Sequence, residues 1–294
     1  MPRVVAVFGP TASGKSAAAL ALAEAVGGEL VSCDAMQLYR GLPVLTNQPS
    51  AEELARVPHH LVAVWPLDHE GSVAEYGELA RAAIAGVLER GRVAVVCGGS
   101  GLYLRAALAP LRLPPAPAPG VRERYQQLYD QLGAEAAHRL LAGRDPAAAA
   151  RIHANDRRRV VRALELGEAG GSLAGPHDPL WDAPAGDTVV YGLEVPPPIV
   201  RERIELRTRQ MFEHGVEHEV AAALTGELSH TARRIHGLQD VSALLAGEID
   251  RGEAIRRLDV RTRQYARRQR SWMRRLPGLV PITSAGDLLA REAA

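Results

Sequence analysis

The octapeptide Gly9-Pro10-Thr11-Ala12-Ser13-Gly14-Lys15-Ser16 constrains this chain more than any other stretch. It fits the pattern GxxxxGK[ST], in which glycines let backbone N–H groups converge on phosphate oxygens at the start of a helix. The flanks supply the context the motif needs. Arg3-Val4-Val5-Ala6-Val7-Phe8 reads as a short buried strand, and Ser16 to Val26 as an Ala- and Leu-rich helix stopped by Gly27-Gly28. Composition singles out the same place: of the 35 basic residues every one except Lys15 is arginine. A compact ammonium fits among phosphates where a planar guanidinium would not. The hydroxyl of Ser16 is a candidate ligand for Mg²⁺ in such a loop.

Two further strands are expected, Glu29 to Cys33 ending at Asp34, and Arg92 to Cys97 ending at Gly98-Gly99 before a helix that opens near Gly101. Buried strands alternating with helices predict a parallel α/β sheet whose ligands collect at the carboxyl ends of the strands. Gly9, Asp34 and Gly98 are thus expected on one rim. There Asp34 is open to four readings: a Mg²⁺ ligand, a substrate anchor, a general base, or the cap of the turn that follows. The glycines of Gly98-Gly99-Ser100-Gly101 either admit a ligand close to the backbone, with the Ser100 hydroxyl beside it, or make a tight turn. Arg203 and Arg207 lie one helical turn apart, so both can point at phosphates or form a solvated face. His59, His60 and His153 lack metal-ligand spacing and read as structural, and Cys33 and Cys97 show neither a zinc nor a disulfide pattern.

A proline-rich linker, Pro114 to Pro119, breaks the composition, after which Arg122 to Gly167 reads as wholly helical up to a Pro- and Gly-rich loop, Pro176 to Gly186. Thr188 to Val195 then returns as a core strand. The predicted class is therefore α/β, a P-loop parallel-sheet core at 1–112 and 187–294 with an inserted all-helical domain at 113–186. A formal net charge of +1 hides two basic clusters. One is Arg157, Arg158, Arg159 and Arg162. The other is the last long helix, about Glu253 to Leu276, where Ile255, Leu258, Thr262, Tyr265, Gln269, Trp272 and Leu276 form a packing stripe. Ten arginines between Arg251 and Arg275 stand against Glu253 and Asp259 alone, which calls for a polyanionic partner. No run of 18 or more apolar residues offers a membrane span, and the N-terminus does not read as a signal peptide, so the cytosol is the expected compartment.

A phosphate loop with an acid after the second strand also suits a small-molecule kinase, but such an enzyme has no use for the arginines of the last helix. An RNA-binding module would use the arginines and leave Lys15 and Asp34 idle. The motif series resolves the choice. GPTASGKS at Gly9 to Ser16, SCDAMQLYRG at Ser32 to Gly41, PHHL at Pro58 to Leu61 and GGSGLYLRA at Gly98 to Ala106 appear in order. They continue with DPAAAARIHAND at Asp145 to Asp156, RALE at Arg162 to Glu165 and TRQYARRQRSW at Thr262 to Trp272. Together they closely resemble the tRNA dimethylallyltransferase (tRNA isopentenyltransferase) family, bacterial type.

That resemblance implies transfer of a dimethylallyl group from dimethylallyl diphosphate, with release of diphosphate. The acceptor it implies is N6 of the adenosine at position 37, just 3′ of the anticodon, in tRNAs that read codons beginning with U. It implies Asp34, Arg207 and Lys15 as catalytic residues, Asp34 being the general base. Gly9, Pro10, Thr11, Ala12, Ser13, Gly14, Lys15 and Ser16 would hold the diphosphate with Mg²⁺ on Ser16. Contacts to the tRNA anticodon stem-loop would come from Asp34, Ala35, Met36, Gln37, Ser100 and Arg122, then from Arg158, Arg159, Val160, Val161 and Arg162. Arg234, Ile235, His236, Gly237, Leu238 and Gln239 complete the set. A monomer free of membrane is expected. The chain departs from the family pattern in Ser16 and Ser100, where threonine is usual, and in Ala35, Leu45, Gln48 and Leu238.

Overall fold

Six strands form one all-parallel sheet in the order β3-β2-β4-β1-β5-β6. They are β1 (Val4–Phe8), β2 (Glu29–Ser32), β3 (His59–His60), β4 (Ala94–Gly98), β5 (Thr188–Leu193) and β6 (Leu279–Ile282). The computed structural model describes residues 3–111, 118–174 and 187–293. The chain divides into two compact units, Met1–Leu111 with Leu180–Ala294, and Arg112–Pro179. The expected boundaries at 113 and 186, most of the Pro114 to Pro119 linker and the Pro176 to Gly186 loop lie outside the described residues.

The larger unit holds the sheet. Every residue of β1 is buried, as a central strand of a two-sided parallel sheet demands. Val4, Ala6 and Phe8 face one apolar cluster and Val5 and Val7 the other, the alternation that the pleat imposes. Register fixes the rim: Phe8 lies opposite Gly98 on one side and Gly192 on the other, and Ser32 lies opposite Cys97. The residues that follow β1, β2 and β4 therefore emerge together, as expected. Two strands depart from expectation. β3 is two residues long and pairs only with β2, too short for any alternation to register. β6 contains Pro281 and pairs only with β5, which is where a strand proline is tolerated.

Glu29, buried at the start of β2, accepts hydrogen bonds from Arg90 Nη2 (2.7 Å) and pairs with Arg92 and His60. The Arg90 hydrogen bond, reinforced by His60, holds its carboxyl at about 2 despite burial. His60 is thus structural, as is His59, whose Nδ1 lies 2.7 Å from the Val57 carbonyl.

The last long helix runs Arg251–Met273, capped by Asp250, whose side chain accepts from the Glu253 amide. Its buried line is Ala254, Leu258, Thr262, Ala266, Gln269 and Met273. The expected stripe holds at Leu258, Thr262 and Gln269, while Ile255, Tyr265 and Trp272 flank it half-buried.

Among its described residues the smaller unit is helical in four pieces, Val121–Leu132, Ala134–Arg144, Pro146–Ala149 and Arg157–Glu168. Gly133 at φ 79° separates the first two, and Asp145 caps the third through the Ala148 amide. Its core includes Tyr125, Tyr129, Leu141, Val160 and Leu164. Glu165 is buried there with two guanidinium partners, Arg122 Nε at 3.0 Å and Arg162 Nη1 at 2.9 Å. A buried carboxylate is tolerated when paired in this way.

Candidate active site

A cavity of about 550 Å³ opens at the carboxyl rim of the sheet within the larger unit. Lys15, Ser16, Asp34, Arg203, Arg207 and Tyr265 line it, so loop, second-strand acid and the arginine helix meet at one place. Gly14 at φ 92° turns the loop into the helix Lys15–Val26, a backbone state that a side chain disfavours. Ala12 also has positive φ, 61°. The remaining walls are mixed, with Val31, Leu45, Val62, Met211 and Leu258 among the apolar residues and Gln37, Asn47, Gln48, Glu53 and Gln210 among the polar ones.

Two of the four arginines of the helix Pro197–Glu213 reach the loop. Arg207 Nη2 donates to Thr11 Oγ1 (2.7 Å), and Arg203 Nη1 donates to the Ser13 carbonyl (3.0 Å). Burial draws the Arg207 pKa down, and the Asp34 carboxylate opposes that shift. Thr11 is gripped a second time, its amide donating to Gln269 Oε1 at 2.7 Å. Nothing in local sequence marks Gln269 for this role, because the partner lies 258 residues away.

Asp34 lies half-buried at the end of β2, where its Oδ1 accepts from the Met36 amide (3.0 Å). It therefore caps the turn and lines the cavity at once. Gln37 is fixed between Ser32 Oγ (3.1 Å) and the Asn47 carbonyl (2.6 Å). Gln48 donates to the Tyr39 carbonyl (2.7 Å), so this departure from the family pattern shapes the same wall.

The structure redistributes the remaining predicted residues. Val160, Val161, Ile235 and Leu238 are core residues with 0 to 4% exposure. Their side chains pack inward, whereas Arg158, Arg159, Arg234 and Gln239 are exposed. Arg122 and Arg162 are tied to Glu165. Of the two readings open for Gly98, Gly99 and Gly101, the structure supports the tight turn, packed against protein, with Gly98 also lining the cavity. A Cβ on Gly98 would stand 2.5 Å from the Cys33 carbonyl oxygen, and on Gly99 or Gly101 it would run into Gln269 or Trp272. Ser100 makes no side-chain cap. On the last helix, Arg256 and Arg257 pair with Glu253, Arg261 with Asp240 and Arg263 with Glu205. Arg267, Arg268, Arg270 and Arg274 pair with no carboxylate among the described residues, which concentrates the free positive charge in the helix's final turns.

His236 lines the cavity, its Nε2 lying 3.0 Å from Thr262 Oγ1 and its ring stacked on Tyr265 at 5.8 Å. Burial first, then Arg261, Arg268 and Arg207, depress its pKa to about 4. The folded protein keeps this imidazole neutral, while the unfolded chain binds a proton below its ordinary value of about 6.5. Its contribution, on the order of 2–3 kcal/mol, is complete above pH 6.5 and is lost as pH falls toward 4. Urea melts of wild type and His236→Gln across pH 4 to 7.5 check this, since the variant's stability should vary less over that window.

A family model described as IPP transferase matches residues 37–276. The tRNA dimethylallyltransferase of Salinispora tropica is 44% identical over 294 residues, covering 99% of this chain and 91% of that protein. The crystal structure of the full-length tRNA isopentenylpyrophosphate transferase of Bacillus halodurans matches with a TM-score of 0.70 at 33% identity. It covers 96% of this chain and 90% of its own. A eukaryotic dimethylallyltransferase described as acting on tRNA shares the fold, with a TM-score of 0.78 at 23% identity over 100% of this chain and 78% of its own.

Proposed function

The chain belongs to the IPP transferase family, and from that premise we propose that it moves a dimethylallyl group from dimethylallyl diphosphate to tRNA. The acceptor is N6 of the adenosine at position 37, beside the anticodon, in tRNAs that read codons beginning with U. The enzyme works as a monomer in the cytosol. The observation that carries this reading is the meeting of Lys15, Arg207 and Asp34 in one cavity that also has an apolar wall.

The chemistry needs these parts. The adenine amine is a weak nucleophile, so the carbon–oxygen bond to diphosphate must loosen as the nitrogen–carbon bond forms. Lys15 and the amides at the start of the helix Lys15–Val26 take up the charge that develops on the leaving oxygen, with Arg207 beside Thr11. Asp34 accepts the N6 proton as the new bond completes. Val31, Leu45, Met211 and Leu258 keep water from the electron-poor allyl carbon. An adenine stacked in the anticodon loop must leave the stack to reach this depth, which costs least in a single-stranded loop.

Mg²⁺ suits the donor set. Ser16 offers a hydroxyl oxygen at the cavity, and no cluster of three His, Cys, Asp or Glu among the described residues forms a cage. An ion that draws most of its ligands from phosphate and water fits such a place. Ser16 would hold it, and it would add positive charge against the diphosphate.

Incubation with radiolabelled dimethylallyl diphosphate tests the reading. Label should enter tRNA and not free AMP, with ATP left intact; phosphate moving from ATP to an alcohol would identify a kinase instead. Tight tRNA binding through Arg267, Arg268, Arg270, Arg274, Arg158 and Arg159 predicts strong salt dependence. With about six phosphates neutralised, the affinity should fall with a log–log slope of about −4, measurable by fluorescence anisotropy between 50 and 200 mM salt. A flat response would remove these arginines from the interface.

A further inference from the structure

Gln269 lies in the middle of the arginine helix and is only 2% exposed. Its Oε1 accepts the Thr11 amide at 2.7 Å. That donor fixes which way the amide points, so Nε2 is turned inward, where Gly99 leaves room for it. Nε2 lies beside the Tyr265 phenol yet makes no hydrogen bond of good geometry among the described residues. Burying such a group costs stability. A leucine or methionine would fill the same space without that cost but would leave the buried Thr11 amide without its acceptor, so it is the contact to Thr11, and not packing, that a glutamine serves here.

What the glutamine does supply is one acceptor for one loop amide. In a loop of this kind, successive backbone amides form a concavity for an anion. Here the Thr11 amide is committed to Gln269, and its hydroxyl then receives Arg207 Nη2 at 2.7 Å. Thr11, 8% exposed, is held from both sides. The guanidinium of Arg207 is thereby aimed by Thr11, and Thr11 by Gln269.

We propose that Gln269 is a positioning residue for the leaving group, acting through Thr11 to set Arg207 against the diphosphate. The inference rests on the prenyl-transfer reading and adds a residue to its machinery. It separates two jobs on one helix: the arginines of the outer faces meet solvent, and the single buried amide holds the donor loop.

The test uses the full chain and inorganic diphosphate with Mg²⁺ as the probe. Wild type, Gln269→Leu, Thr11→Val and the double variant are compared by calorimetric titration and by single-turnover prenyl transfer, with thermal melts alongside. Gln269→Leu is expected to weaken diphosphate about tenfold and slow transfer at least as much, with the tRNA dissociation constant within twofold of wild type. Thr11→Val should do the same. Since the two contacts lie in series, Gln269 to the Thr11 amide and the Thr11 hydroxyl to Arg207, the double variant should match the singles and not multiply them. Met273→Leu, buried on the same helix away from the loop, should leave diphosphate affinity unchanged. Gln269→Met replaces the leucine variant if the latter melts below the assay temperature.

Wild-type diphosphate affinity in folded Gln269→Leu or Gln269→Met overturns the inference and leaves the prenyl-transfer reading standing. Multiplicative effects in the double variant overturn it equally, because a residue that only docks the helix would behave that way. A wild-type protein that neither binds diphosphate nor transfers label overturns both.

Discussion

Replacing Asp34 with asparagine is expected to slow prenyl transfer by about 10³-fold while leaving tRNA affinity within a few fold. Asparagine is the informative choice. Its side-chain oxygen still accepts from the Met36 amide, as Asp34 Oδ1 does at 3.0 Å, so the turn after β2 keeps its cap. What is lost is the capacity to take a proton from N6, and a positioned base contributes about 10²–10⁴-fold. Single-turnover transfer with saturating tRNA isolates that step. Full turnover in Asp34→Asn would reduce Asp34 to the cap that the local sequence equally allows. Asp34→Ala separates the roles further: it should add a loss of stability to the same loss of rate, because cap and base disappear together.

The phosphate loop and the strands beside it were legible because their signals are local. β1 is five apolar residues in a row, the loop spells its own geometry, and the helix behind it ends at a glycine. Asp34 was legible in place but not in role, because a carboxylate after a strand serves capping and catalysis with the same atoms. The partners of long-range contacts were not legible. Gln269 looked like one more member of a packing stripe, and only the fold brings it to Thr11. Charge was misleading in the same way. Ten arginines near the last helix suggested a uniform surface, yet Glu253, Asp240 and Glu205 absorb those of its first half. Glu253 is visible at three and four residue spacing on the same helix, whereas Asp240 and Glu205 come from other segments.

The glycines after β4 carry the second large prediction, and there the structure selects between the two causes the sequence leaves open. A cluster of glycines beside a phosphate loop suggests room for a ligand. At Gly98 the room is taken by the adjacent strand: an added Cβ would stand 2.5 Å from the Cys33 carbonyl oxygen and 2.6 Å from its carbonyl carbon. These are backbone atoms, which cannot rotate aside as a side chain does. The Cys33 amide also donates to the Cys97 carbonyl at 2.8 Å, so pushing the strands apart strains the hydrogen bond at the rim. Gly98→Ala should therefore cost about 3 kcal/mol, at the upper end for an overpacked site. In a protein of this size that lowers the melting temperature by roughly 5 °C. Ser100→Ala, two residues on, should leave the melting temperature unchanged, because its hydroxyl caps nothing. Any effect of Ser100→Ala should appear only in tRNA affinity. Calorimetry on the two variants separates the accounts: an unshifted Gly98→Ala melt with weakened diphosphate would restore the ligand explanation, and a shifted melt places the glycine in the architecture that holds Asp34 beside the loop.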